Sequence, residues 1–236
     1  TNLIISGEGS GVGIAAMING TTDIAESSRE INAEEIERAK AKGVNPVQFI
    51  VAWDGLAIIV NPRNPVKKLT MEQLRSIYLG NIKNWKEIGG LDEEVVLHTR
   101  DTASGTHQYF KEHILRKGDP KGKEEFPRTA IVDTSSQAAV QSVAQDIGGI
   151  AYVSLGYINS RVAPVAIAES EDRDYVLPSI EAIMDRSYPI SRPLYFYTNE
   201  EPTGNVKKFI DYVLSDDGQR IVMREDFVPV RRVEPK

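Results

Sequence analysis

Gly7-Glu-Gly-Ser-Gly-Val-Gly13 places four glycines and a serine between the apolar run Asn2-Leu-Ile-Ile-Ser6 and a helix-like run that starts near Gly11. A strand that ends in a glycine-rich turn and opens a helix is the entry point of many α/β folds. The backbone N–H groups at such a helix start, backed by the helix dipole, favour an anion. The loop lacks Gly-Lys-Ser/Thr and so is not a Walker A loop. Gly11-Val-Gly13-Ile-Ala-Ala16 does fit the loose dinucleotide pattern G-x-G-x-x-A, with Glu30 and Glu34 downstream. The segment Asp23–Ala25, however, is too short and abrupt to carry a ribose-binding acid at its end. A plain strand-to-helix turn that holds no ligand is the other reading.

The arrangement recurs. Val95-Val-Leu-His-Thr99 runs into Arg100-Asp-Thr-Ala-Ser-Gly-Thr106, again followed by a helical pattern. Ser and Thr hydroxyls add short donors at a helix start, and the planar fork of Arg100, four residues before Ser104, fits two oxygens of a tetrahedral oxyanion. Two such loops in one chain suggest convergence on one small anion. Glu26-Ser27-Ser28-Arg29 is a third candidate, with Ser28 and Arg29 able to face the same cleft; its alternative is a helix cap before Asn32-Ala-Glu-Glu35 and a surface arginine. Asp133-Thr-Ser-Ser-Gln137 is a fourth, where simple capping is the stronger reading.

Working outward, strand-like runs alternate with helical patterns. Strands are expected at Leu3–Ser6, Asp23–Ala25, Val47–Trp53, Leu56–Val60, Val95–His98, Ala130–Val132 and Ile150–Val153. Helices are expected over 11–19, 33–42, 70–78, 104–116, 135–145, 206–214 and 217–224, with an extended segment over 188–198. This alternation predicts an α/β fold with mostly parallel strands. Loops are expected at Asn61–Pro65, Trp85–Leu91 and 168–186, suggesting two lobes with the chain leaving the first and returning. Lys117–Glu125, with six charged residues of nine, reads as a solvated loop.

Composition narrows the partners. With 236 residues, 41% hydrophobic and 26% charged, the chain has enough apolar material for a core. A formal charge of −6 argues against nucleic acid or an anionic membrane as main partner, since both require a basic surface. The absence of cysteine removes disulfides and thiolate chemistry and leaves the compartment open. No window approaches the roughly 18 apolar residues of a membrane span.

Taken together, GSGVGIAAMINGTTDIAESSR, WDGLAIIVNP, LTMEQLRSIYLGNIKNW, RDTASGTHQYF, GGIAYVSLGY, YPISRPLYFYT and FIDYVLSDDGQRIV resemble, in order and spacing, the phosphate-binding proteins of ABC phosphate importers. These are two-lobed class II periplasmic (extracytoplasmic) solute-binding proteins. The resemblance implies a Venus-flytrap fold with each lobe a mostly parallel sheet flanked by helices, residues 1–90 and 190–236 forming lobe I and 91–189 lobe II. It implies inorganic phosphate held between lobes joined by crossing strands, delivery to an ABC permease, a periplasmic or extracellular location, and no enzymatic activity, cofactor or metal. Carried over by position, phosphate contacts fall on Arg100, Ser104, Gly105 and Thr106, and in the first lobe on Ser10 and the N–H groups after it, beginning with Gly11.

A carboxylate that some members place in the next loop falls here on Ser28, beside Arg29. Its task is to accept the proton of HPO4²⁻, which sulfate lacks near neutral pH; facing sulfate, the same acceptor is unpaired and repelled. Asp54, in Trp53-Asp54-Gly55, is the expected substitute, its alternative being a turn-forming Asp-Gly pair between two strands. Family members usually carry a strand, a hydroxyl-glycine loop and a long helix before the segment that starts here at Thr1. An N-terminal segment or a second chain completing lobe I is therefore expected. Competing readings are another tetrahedral oxyanion such as sulfate or molybdate, a non-transport sensor or scaffold on the same fold, and a phosphatase using Ser104 or Ser10. The last lacks a visible base or metal set, because His98, His107 and His113 show no ligand spacing.

Overall fold

The computed structural model describes residues 3–7, 9–119 and 121–234. The chain divides into two compact units: Thr1–Asp54 with Ala103–Gly105 and Arg192–Lys236, and Gly55–Thr102 with Thr106–Ser191.

The first unit begins with helix α1 (Ser10–Ile18), whose Ile14, Met17 and Ile18 lie at i, i+3, i+4 spacing and are buried. That apolar face packs with Ala25 of strand β1 (Ala25–Ser27), Ala39 of helix α2 (Ala33–Ala41), and Tyr195 and Tyr197 of strand β9 (Ser191–Asn199). β1 and β9 pair antiparallel, Glu26 opposite Phe196. Asn32 and Glu35 form a reciprocal capping box at the start of α2, which satisfies two backbone N–H groups of that end. Helices α7 (Gly204–Leu214) and α8 (Asp216–Arg224) close the unit, and Gln219 of α8 is buried with its amide donating to Val51 O and Val213 O.

The second unit is built on the distal part of β2 (Pro46–Val60) and on β4 (Val96–Arg100), β5 (Ile131–Asp133) and β6 (Gly149–Ser154). β6 pairs antiparallel with β2 and parallel with β4, and β4 pairs parallel with β5. Two short strands, β3 (Lys68–Thr70) and β8 (Ala166–Ala168), pair parallel beside them, and β7 (Ala163–Pro164) pairs with β2. Helices α3 (Met71–Tyr78), α4 (Gly105–Phe110), α5 (Ser136–Gln145) and α6 (Ile180–Met184) complete the set, with the chain running on from α4 as a π-helical turn over Lys111–Leu115. Ala139, Val140 and Val143 of α5 pack on Ile59, Ala151 and Val153, while Phe110 stacks on Tyr152 with centroids 4.1 Å apart.

Three sequence expectations change. Leu3–Ser6 forms no strand: Leu3, Ile4 and Ile5 are 61%, 93% and 70% exposed, and no strand pairs with them among the described residues, so apolar character alone gives no ladder. The expected strands 47–53 and 56–60 are one continuous strand through Asp54-Gly55, so the Asp-Gly pair is not a turn. The region 168–186, read as irregular, holds the end of β8 and helix α6. The chain passes between the two compact units at Asp54/Gly55, inside β2, and a crossing made by a strand carries no linker composition to reveal it.

Asp54 is the last residue of the first unit before that crossing, and Arg192 is the first after the chain's last return to it. Arg192 donates to Asp54 Oδ2 through Nη2 at 2.9 Å and Nε at 3.2 Å, and both side chains are almost fully buried. Removing one partner strands the other charge away from water, which costs about 3–5 kcal/mol. Arg192→Ala is expected to lower unfolding free energy by that order in urea titrations. The double variant Asp54→Ala/Arg192→Ala should fall short of the sum of the singles by about 2 kcal/mol; additive losses would show that the two residues are not coupled.

Candidate functional site

The glycine-rich loop is shaped by what surrounds it. Gly9, the residue before α1, has φ 108°, a conformation that side chains disfavour, and a Cβ there would lie 3.0 Å from Ala103 O. The N–H groups of Val12 and Gly13 turn back onto Gly9 O at 3.1 Å, and Gly11 N–H reaches Ala103 O at 3.4 Å. Glu8 lies outside the described residues. Ser10 is buried at the first position of the helix; its Oγ accepts from Ser28 N at 3.1 Å and sits 3.3 Å from Ser28 Oγ. A Cβ on Gly105 would collide with both hydroxyl oxygens, so the absence of a side chain at 105 is what lets that backbone approach Ser10 and Ser28. In the first unit, then, the structure brings Ser10, Ser28 and the Ala103–Gly105 segment together, three stretches that are far apart in sequence.

Arg29 is buried and not a surface residue. Its Nη1 and Nη2 donate to the two oxygens of Glu35 at 2.8 and 2.7 Å, and Nη1 also reaches Glu30 O at 2.8 Å. Burial pushes the Glu35 carboxyl up, but the Arg29 hydrogen bond, the Asn32 N–H and the charges of Arg29 and Arg38 outweigh it, and the net shift is downward. Asp54, as described, is engaged by Arg192. The bidentate pair and the capping box thus share one carboxylate, a coupling that the capping reading of Asn32–Glu35 only half reveals.

In the second unit Arg100 ends β4. Nη1 donates to Ser136 Oγ at 3.1 Å, Nη2 to Thr134 O at 3.4 Å, and Asp101 Oδ2 stands 3.8 Å from Nη2. Its Nε–H is buried with no hydrogen-bond partner among the described residues. Behind it, Thr99 Oγ1 lies 2.6 Å from Tyr152 OH and 3.1 Å from His107 Nδ1, and Arg100 N–H points at Tyr152 OH. Burial, with the charge of Lys111, holds His107 below the ordinary imidazole range against the opposing pull of Asp101 and Glu125, so the ring is neutral near pH 7. Thr106 is buried in this unit, and Ser104 is buried in the first.

Sequence reasoning missed Ser136, Tyr152 and Arg192. Ser136 sits in a segment read mainly as a cap, and it is Ser135 that caps, accepting from Ala138 N at 3.0 Å. The three histidines do not gather: His98 Nδ1 donates to Asp133 Oδ2 at 2.9 Å, His107 meets Thr99, and His113 Nδ1 donates to Tyr109 O at 3.1 Å. Among the described residues there is no cluster of three or more His, Asp or Glu suited to a metal ion.

Because Glu35 titrates lower in the folded chain than its ordinary 4.5, its contribution is complete above that value and is lost as pH falls through the lowered one. Glu35→Gln is accordingly expected to be less stable than the parent near pH 7, with the gap closing as pH drops below 4.5. Thermal unfolding at several pH values measures this, and a gap that stays constant into strong acid would rule out the linkage.

A family model described as a PBP superfamily domain matches residues 1–217. The chain is 32% identical over 246 residues to the phosphate-binding protein PstS of Pseudomonas aeruginosa, covering 97% of this chain and 74% of that protein. It is 34% identical over 224 residues to PstS of Bacillus subtilis, covering 94% and 69%. Among solved structures it is similar to a phosphate ABC transporter substrate-binding protein with bound phosphate from Clostridium perfringens, with TM-score 0.82, 33% identity, and coverage of 95% of this chain and 86% of that one. An ABC-type phosphate transport receptor from Vibrio cholerae matches with TM-score 0.77 and 28% identity over 97% and 88%. The two-lobed α/β fold of these proteins is the fold of this chain, which belongs to the PBP superfamily, in the family of the phosphate-binding protein PstS.

Proposed function

We propose that this chain binds inorganic phosphate reversibly and without catalysis, and hands it to an ABC permease at the outer face of the cell membrane. Arg100 carries the reading. The other two deeply buried arginines described above are neutralised by carboxylates, Arg29 by Glu35 and Arg192 by Asp54. Arg100 is held mainly by neutral oxygens, with Asp101 at 3.8 Å, and its Nε–H, like that of Arg29, is buried with no hydrogen-bond partner among the described residues. A cationic fork with an unsatisfied buried donor is costly unless an anion completes it.

The proposed donors are the Arg100 guanidinium, the hydroxyls of Ser10, Ser28, Ser104 and Thr106, and the N–H groups of Gly11 and Gly105. Hydroxyl and N–H donors replace the water around a small dianion without adding fixed charge, which suits a ligand that must later be released. Relatives named for phosphate binding and a related structure holding phosphate support the choice of ligand. A related structure named as an ABC transporter substrate-binding protein supports the permease as partner, and the extracytoplasmic location is part of the same proposal.

Within this reading Arg29 orders the Ser27–Arg29 loop through Glu35, and Asp54 accepts the proton of HPO4²⁻ while bound to Arg192.

Isothermal titration tests the reading. Phosphate is expected to bind, and at 100 times its dissociation constant to stabilise the fold by about 2.7 kcal/mol. Arg100→Met should weaken binding by about 100-fold or more. Asp54→Asn should weaken phosphate and relax discrimination against sulfate. Tight binding of sulfate or molybdate with no response to phosphate would give the site to another oxyanion; no binding of any of the three would leave a sensor or scaffold.

A further inference from the structure

Arg100 is useful to an anion only if its fork is aimed, and five of its bonding positions can in principle point anywhere along a flexible stem. The turn between β5 and α5 supplies the aim. Asp133 closes β5 with one carboxylate oxygen on His98 Nδ1 at 2.9 Å and the other on Ser142 Oγ at 2.9 Å. His98 belongs to β4, two residues before Arg100, and Ser142 lies on α5. A carboxylate only accepts, so His98 Nδ1 and Ser142 Oγ carry the protons, and both oxygens of Asp133 are engaged by side chains from the two elements that flank the turn. His98, Asp133 and Ser136 are all buried.

Pinned in this way, the turn presents two neutral acceptors in succession, Thr134 O to Nη2 and Ser136 Oγ to Nη1. The Nη1/Nη2 edge of the guanidinium is therefore spent on the turn. The remaining edge, which includes the buried Nε–H, is left for a ligand.

We propose that the Asp133–Ser136 turn is a positioning element for Arg100: Ser136 and Thr134 hold the terminal edge of the guanidinium, Asp133 holds the turn through His98 and Ser142, and the Nε edge is thereby directed at the anion. This rests on the phosphate reading above and deepens it. Neutral acceptors orient the cation without cancelling its charge, which a carboxylate in the same place would do. The serine pair at 135–136 divides two tasks, Ser135 capping the helix and Ser136 holding the arginine.

The test is a double-mutant cycle in phosphate affinity, combined with a readout that needs no ligand. Ser136→Ala is expected to weaken phosphate binding about tenfold, as loss of a hydrogen bond to a charged group implies, and Ser136→Thr, which keeps the hydroxyl, to restore most of it. In an Arg100→Lys background, Ser136→Ala should change affinity by less than twofold. In the ligand-free protein, the Arg100 Nε–H signal in ¹⁵N NMR should be resolved and slow to exchange, and Ser136→Ala should broaden it or speed its exchange. An affinity unchanged by Ser136→Ala, or an equal loss in the Arg100→Lys background, overturns the proposal. If the parent binds no phosphate, the functional reading fails separately, and the Nε–H signal still decides: one unaffected by Ser136→Ala overturns the positioning role.

Discussion

The buried ion pair between Asp54 and Arg192 sits where β2 leaves the first unit and where the chain makes its last return to it. Two oppositely charged side chains are shut away from water there. Desolvating them costs several kcal/mol each, and only close, multiply bonded geometry offsets that cost. Such a pair tolerates little slippage: a shift of either strand by one residue would turn one charge to the opposite face and leave the other alone. The interaction thus serves register more than net stability. The pair lies within a strand of fifteen residues that runs unbroken through an Asp-Gly pair, a sequence that in other settings favours a turn.

The charged groups around the candidate site follow one logic applied with two outcomes. Where an arginine orders the backbone, the structure gives it a carboxylate: Glu35 takes Arg29 and at the same time caps α2. Arg100, which we propose meets the ligand, is held mostly by neutral oxygens, which leaves the cation's charge largely unspent. The surrounding shell is kept neutral as well, since burial prevents His107 from taking a proton near pH 7. Selectivity in such a site comes from the number and direction of donors. The chain's overall charge of −6 does not enter, because a local cluster of N–H and O–H dipoles acts at hydrogen-bond range.

Close approach is the other constraint. Ser10, Ser28 and Gly105 meet in a space that admits no Cβ at 105, and Gly9 accommodates both an unusual φ and the nearby carbonyl of Ala103. The hydrogen bond between the Ser10 and Ser28 hydroxyls keeps them oriented, and in the proposed phosphate site that lowers the ordering cost of binding. Gly105 is in this sense a packing residue whose effect is chemical.

The sequence alone carried the local part of this description. Helices α1, α2, α3, α5, α7 and α8 are legible from apolar spacing and capping residues, and the two hydroxyl–glycine loops announce themselves by composition. These are properties of residues within a few positions of each other, where periodicity and N-cap chemistry operate. Strand pairing is not of that kind: Leu3–Ser6 looks like a strand and has no partner strand among the described residues, while β3, β7 and β8 are too short to show a period and exist because a neighbour pairs with them. Only the tertiary structure decided which arginines are taken by carboxylates, since Arg29, Arg100 and Arg192 look alike as letters and differ in what lies 2.7–3.4 Å from their nitrogens. Those partners come from 6, 36 or 138 residues away, a distance over which sequence pattern carries no information about contact and burial alone sets the electrostatics.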